Sequence, residues 1–274
     1  MSEIITYADS KFVILRNFLP ISRDVLIDLW NSHPKDRDKF MSHFIPRFIS
    51  NHGPSYKFGG VVHKTVPINN KLVSMLFGLV SCLETSLREQ TDNENHKTPN
   101  NILVNYYGDE KDSISPHSDK ESANGAVFSF VFGDGGHFVL RDCKSKEKPL
   151  RIQMRNGDAI IMLPGSQVST THEVPKGSDK YPRKGIRVSV TIRKVEFSDE
   201  ELIVNPNFLY EERIFTNFAE SLAKSIINED SEKIDKLCKI MKNHAACLGF
   251  QITDSEYLIM VNEIEKDFNE KYRS

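Results

Sequence analysis

Short apolar runs, broken by polar turns that carry glycine or proline, set the rhythm of this chain. Phe12 to Leu15 is apolar throughout and predicts a strand. Past Pro20, residues Val25, Leu26, Leu29 and Trp30 recur at helical spacing and predict a helix with one buried face, Trp30 being a core anchor. From Pro46 to Lys64 the sequence turns polar and glycine-containing, dotted with aromatics, and Tyr56 to Gly60 reads as a strand or loop with close backbone approach. Leu72, Met75, Leu76, Leu79, Val80, Leu83 and Leu87 then mark a long amphipathic helix within residues 68–91, suited to bracing a sheet.

The next hundred residues switch to strand-like patterning. Ile102 to Val104, Val127 to Phe132, Gly136 to Arg141, Leu150 to Met154, Ala159 to Leu163 and Ile186 to Val195 each predict a strand, and Gly157-Asp158 predicts a turn. Many short strands punctuated by Gly, Pro and Asp predict a sandwich or jelly roll. After Phe197 the pattern is helical again, around 209–228, 231–248 and 255–272. The expected class is α+β. Its domain spans 1–197, with the strand-rich core over 101–197 and a C-terminal helical extension over 198–274. The extension carries no motif and is expected to pack on the core or to bind a protein partner.

Composition narrows the class without naming a function. The chain has 274 residues, 27% of them charged, and a formal net charge of −2, so no global basic field points to nucleic acid. Its four cysteines form no C-x-x-C pair, which argues for reduced thiols inside the cell rather than a disulfide framework or zinc site. Neither a secretory signal pattern nor an apolar run long enough for a bilayer is visible, so nucleus or cytoplasm is expected. Most lysines and arginines, Arg151, Arg183 and Lys184 among them, are expected on the solvated surface.

The chemistry concentrates in NYYGDEKDSISPHSDKE, residues 105–121. His117 and Asp119 are two apart on an extended segment and point to the same side, so both can reach one metal. A third ligand has to come from elsewhere, and His63, His137 and His172 compete. His172, after a turn-like SQVSTT segment, is best placed. Two histidines and one carboxylate with open positions suit non-haem Fe(II) in an oxygenase. Arg187 and Arg193 are an even number of positions apart and face one side of a strand, which suits the carboxylates of an organic acid beside the iron.

Across 44–195 these residues resemble the AlkB family of dioxygenases. Asn105-Tyr-Tyr107 with EKDSISPHSDKE is similar to the family's N-x-Y and H-x-D-x-[DE] block. THEVP and RVSVTIR are similar to its distal-histidine and R-x-N-x-T-x-R segments, and Pro46-Arg47 with Tyr56-Lys-Phe58 to its nucleotide-recognition lid, here 44–66. The resemblance implies a double-stranded β-helix (jelly roll) core braced by N-terminal helices, and assigns roles. His117, Asp119 and His172 would hold Fe(II), while Asn105, Tyr107, Arg187 and Arg193 would bind 2-oxoglutarate. Glu121 would meet the exocyclic group of a damaged base. Phe58, opposite His117, would sandwich that base, with Tyr56 and Arg47 nearby. Ser189 stands where the family usually has asparagine. The implied reaction is oxidative demethylation of N-alkylated bases, of the 1-methyladenine and 3-methylcytosine type, in DNA or RNA. It consumes O2 and 2-oxoglutarate and releases succinate, carbon dioxide and formaldehyde. Alternative readings are a hydroxylase or demethylase of a protein or small molecule, or a non-catalytic nucleic-acid-binding module.

Overall fold

The computed structural model describes residues 2–58, 60–145, 148–196 and 212–247. Strands β1 (Glu3–Tyr7) and β2 (Ser10–Leu15) precede helix α1 (Arg23–Asn31). Five short strands follow: β3 (Lys39–Phe40), β4 (His43–Phe44), β5 (Phe48–His52), β6 (Tyr56–Phe58) and β7 (Val61–His63). Helix α2 (Lys71–Thr91) leads into β8 (Asn101–Tyr107), β9 (Ile114–His117), β10 (Val127–Gly133), β11 (His137–Asp142), β12 (Leu150–Gln153) and β13 (Asp158–Met162). The single turn α3 (Ser166–Ser169) runs into β14 (Thr170–Val174), and β15 (Arg187–Arg193), α4 (Glu212–Ile227) and α5 (Ser231–Cys247) complete the order. The helix expected over 255–272 lies outside the described residues.

Two antiparallel sheets carry the site. The larger has the order β1-β2-β13-β10-β15-β8-β5 and the smaller β12-β11-β14-β9. Strand alternation gives the larger sheet two different faces. Val188, Val190 and Ile192 of β15, with Phe128, Phe130 and Phe132 of β10, enter a core shared with the helices. The opposite rows, Val127 and Val131 of β10 and Ile160 and Met162 of β13, pack on Phe138, Leu140 and Ile152 of the smaller sheet. Covering on both faces explains why Val127 to Phe132 is a nearly unbroken apolar run.

The helices begin and end where their caps dictate. Ser22 accepts from the Val25 N–H at 3.3 Å to start α1. Asn70 Oδ1 accepts from the N–H groups of Leu72 and Val73 at 3.0 and 3.3 Å to start α2. That helix stops at Asp92, whose φ of 50° is left-handed. Phe215, Ala219, Leu222 and Ile226 of α4, with Ile234 and Met241 of α5, are buried in the same core as α2. Gly157, with φ of 82°, turns the chain between β12 and β13, and a Cβ there would stand 2.2 Å from the Pro20 nitrogen.

Some strands escaped the periodicity argument. β5 buries Ser50, Asn51 and His52, and Asn51 Oδ1 accepts from Asn101 Nδ2 at 2.7 Å. Side-chain hydrogen bonds there replace the apolar contacts that the pattern looks for. The SQVSTT segment is not a plain turn but α3 followed by the first residues of β14. Among the described residues no helix is long and apolar enough to cross a membrane.

Candidate active site

The two sheets open at one end into a pocket lined by both. The larger sheet contributes Asn105 and Tyr107 from β8, Ser129 from β10, and Ser189, Thr191 and Arg193 from β15. The smaller contributes His117 from β9, Phe138 from β11 and His172 from β14. Arg47, Tyr56, Phe58 and His63 close over it from the segment of β5, β6 and β7.

His117, Asp119 and His172 come together here, one ligand atom of each lying within 4.8 Å of the others. Among the described residues this is the one such group of metal-binding side chains. His117 and His172 are paired across the β9–β14 ladder. His117 Nε2 and His172 Nε2 lie 4.0 and 3.8 Å from the two carboxylate oxygens of Asp119. Nδ1 of His117 bonds the Ser115 carbonyl oxygen at 2.9 Å, which leaves Nε2 free for a ligand. The His172 ring stacks on Phe138, centroids 5.3 Å apart and planes inclined by 15°.

Electrostatics keep this trio in the protonation states that a divalent cation needs. Burial, reinforced by His117 and opposed by Asp119, pushes His172 down to about 3. Burial also lowers His117. Burial alone would raise the Asp119 carboxyl, but the Arg193 guanidinium, 2.7 Å away, leads the charges that hold it below its ordinary value. The group is therefore two neutral imidazoles and a carboxylate. Asp119 Oδ2 is buried with no hydrogen-bond partner. Such an oxygen is costly unless a cation takes it up, so the residues present fit a divalent metal.

The two strand arginines differ in what they do. Arg193 donates from Nη1 to Asp119 Oδ1 at 2.7 Å and from Nη2 to the Tyr56 hydroxyl at 2.8 Å. Its Nη2 also lies 2.7 Å from Glu121 Oε1, an ion-pair contact without hydrogen-bond alignment. Burial would weaken this cation, but Asp119, Tyr56 and Glu121 raise its pKa instead. Arg187 is fully buried, with Nε and Nη1 unpartnered and only a long 3.4 Å contact from Nη2 to Ser189 Oγ. Its guanidinium stands 5.7 Å over the Tyr107 ring. Burial first, then neighbouring Arg183, pulls it down to about 10 against Tyr107 and Asp134. A buried cation with two idle donors calls for an anion.

The remaining expected residues are placed as follows. Asn105, level with Ser189 across the β8–β15 ladder, accepts from Arg47 Nε at 2.7 Å through Oδ1. Arg47 is 5% exposed and so lines the pocket instead of reaching into solvent. The Phe58 and His117 rings meet edge to face, centroids 5.3 Å apart at 65°. The Tyr56 hydroxyl is committed to Arg193, and burial pushes its pKa up to about 12.

Sequence reasoning missed several residues of this neighbourhood. Counting by twos from Arg187 and Arg193 would have found Thr191, whereas Ser189 features in the sequence only as a departure from the family's asparagine. Arg183, expected on the solvated surface, is instead 3% exposed, donates to the Asp109 and Asp112 carbonyl oxygens, and stands 5.3 Å over the Tyr107 ring. Loop arginines carry no periodicity, so no local signal reports such burial. Gln167, which accepts from the Asp119 N–H at 2.9 Å, was likewise invisible in sequence.

Comparison with known proteins places this geometry. Residues 39–193 match the model of the 2OG-Fe(II) oxygenase superfamily. The chain belongs to that superfamily. The family's Fe(II) agrees with the His117, Asp119 and His172 group. The mouse protein named alpha-ketoglutarate-dependent dioxygenase alkB homolog 3 is 31% identical over 121 residues, covering 40% of this chain and 41% of that one. The human protein of the same name is 30% identical over a similar stretch, 40% of this chain and 41% of that one. These relatives agree with the AlkB resemblance. The chain thus spans about two fifths of the length of the curated relatives it matches. The solved structure of OsALKBH1 superposes with a TM-score of 0.45 at 18% identity, covering 69% of this chain and 99% of that one. A prolyl hydroxylase from Trichoplax adhaerens gives a TM-score of 0.45 at 14% identity, covering 68% and 84%.

Proposed function

We propose that this chain is an Fe(II)- and 2-oxoglutarate-dependent dioxygenase that removes N-alkyl groups from bases of DNA or RNA inside the cell, in the nucleus or cytoplasm. The observation that carries the reading is a pocket holding a two-histidine, one-carboxylate group with an unpartnered oxygen, together with Arg187, buried with idle donors on the strand whose Ser189 and Arg193 line that pocket. The catalytic domain is taken as residues 1–197, its core over 101–197 a double-stranded β-helix. Residues 44–66 act as the nucleotide lid and 198–274 as a helical extension.

His117, Asp119 and His172 would hold the metal. When bound, Fe(II) with 2-oxoglutarate and O2 supplies the oxidation of the N-methyl carbon, with succinate, carbon dioxide and formaldehyde as products. Arg187, with Tyr107 and Asn105, binds the dicarboxylate: the idle Nε and Nη1 donors suit a carboxylate. Arg193 keeps Asp119 ionised and aimed, through its 2.7 Å hydrogen bond. Its Nε, buried without a partner, remains for the cosubstrate. Glu121 presents a buried carboxyl whose pKa burial raises, against Arg193, and it offers the exocyclic amine of a base an acceptor. Phe58 offers the base a ring face. A base between Phe58 and His117 requires their rings, 5.3 Å apart edge to face, to separate.

The test is formaldehyde release from oligonucleotides bearing 1-methyladenine or 3-methylcytosine, DNA and RNA side by side, with iron and 2-oxoglutarate supplied. Release is expected from at least one, and its loss in His117→Ala and Asp119→Ala. No release from any methylated strand, with 2-oxoglutarate turnover intact, would move the substrate to a protein or small molecule.

A further inference from the structure

The three ligand residues are not held alike. His117 and His172 are register partners on adjacent strands, with the ladder irregular just beyond them, between His172 and Val174. Asp119 lies past the end of β9 and has no strand partner. Its carbonyl accepts from the Ser122 N–H at 2.8 Å within the following turn, a purely local tie. Among the described residues, two hydrogen bonds reach it from elsewhere in the fold. One is Arg193 on its side chain, and the other is Gln167 on its main chain.

Gln167 is 4% exposed and sits on α3, in the segment that runs directly into the strand carrying His172. A main-chain N–H can only donate, so the oxygen of the Gln167 amide has to face Asp119. The amide nitrogen then meets Met162 Sδ at 3.3 Å and Ser166 Oγ at 3.4 Å, both able to accept. Three contacts thus agree on one orientation of the side chain. The hydrogen bond to Asp119 joins the loop bearing the carboxylate to the segment bearing the distal histidine.

We propose that Gln167 is the positioning residue for the metal carboxylate: it fixes the backbone of Asp119 against the segment leading to His172 and so sets how tightly the site binds a divalent cation. The proposal rests on the metal-holding role given above to His117, Asp119 and His172. Gln167 does not line the pocket. Its effect is on affinity, because an unanchored loop has to be ordered each time the ion binds.

The experiment is a titration of the full chain with Mn(II) alone, free ion read by electron paramagnetic resonance, with the melting temperature of the metal-free protein recorded alongside. Gln167→Met keeps the length and removes the acceptor, and its dissociation constant is expected to rise about 10- to 100-fold. Gln167→Glu keeps an oxygen at the same reach and is expected within about threefold of the wild type. A Gln167→Met protein that binds Mn(II) as the wild type does, whatever its melting temperature, overturns the proposal. So does a Gln167→Glu protein that loses as much as Gln167→Met. Should Gln167→Met not fold, Gln167→Asn, one methylene too short to reach, stands in with the same expected loss. A wild-type chain that takes up no Mn(II) overturns the metal site itself, an outcome read separately from the variants.

Discussion

Arg187 shows how much one side chain at the end of a strand can decide. It is fully buried, pairs with no carboxylate among the described residues, and has two idle donors. Burying an uncompensated cation is expensive, so a ligand that supplies the missing charge gains the difference. Arg187→Ala should weaken binding of 2-oxoglutarate, or of its unreactive analogue N-oxalylglycine, by about 2 kcal/mol or more, close to thirtyfold. Calorimetry in the presence of Mn(II) reads this directly. Arg187→Lys should recover only part, because an ammonium cannot match a carboxylate with a planar fork. Unchanged affinity in Arg187→Ala would move the cosubstrate anchor elsewhere. Both arginines were visible in the sequence as a same-face pair. Their division of labour was not, because it depends on Asp119, Glu121 and Tyr56 arriving at Arg193 from distant parts of the chain.

At the scale of elements, the larger sheet is the partition between chemistry and support. One face of β15 presents Ser189, Thr191 and Arg193 to the pocket, and the other presents Val188, Val190 and Ile192 to the helices. α2 braces that second face, and α4 lies on α2 with Leu222 buried in the same core. Leu222→Ala should cost about 2–5 kcal/mol of stability, seen as a lower urea midpoint of the whole chain in a single transition. A separate early transition for α4 would show instead that the helix folds as its own unit. The periodicity of 72–87 and of 127–132 made these elements legible, since apolar positions record which face is covered. β5 was not, because its buried Asn51 and His52 are satisfied by hydrogen bonds that no pattern of hydrophobicity reports.

For the whole molecule, burial of histidines couples the site to pH. His52, His63, His117 and His172 are all lowered, in each case first by burial, and His172 is pushed to about 3. A histidine depressed in the folded state takes up its proton in the unfolded chain first. Its contribution is therefore fully present above the unfolded value near 6.5 and is lost as pH falls below it. For His172 the loss begins near pH 6.5 and approaches about 1.4 kcal/mol per pH unit from about a unit below that value down towards 3. The carboxyls of Glu84, Asp112 and Glu121, raised chiefly by burial, act in the opposite sense at lower pH. The clean measurement is therefore a difference: urea stability of the metal-free wild type minus that of His172→Gln, at pH 7.5, 6.5 and 5.5. The difference should shrink as pH falls, and a flat difference would show that His172 is not buried neutral.

Taken alone, the sequence determined which residue types were available for chemistry and which strands and helices would carry them. His-x-Asp spacing, the even spacing of the two arginines and the two hydrophobic periods are local properties, written within a few residues of one another. Tertiary structure decided which histidine completes the group and which arginine keeps its donors free. It also decided that Arg183 and Arg47 turn inward and that Gln167 accepts from the Asp119 N–H. Those outcomes depend on hydrogen bonds and burial between residues far apart in the chain, and a one-dimensional pattern has no term for them.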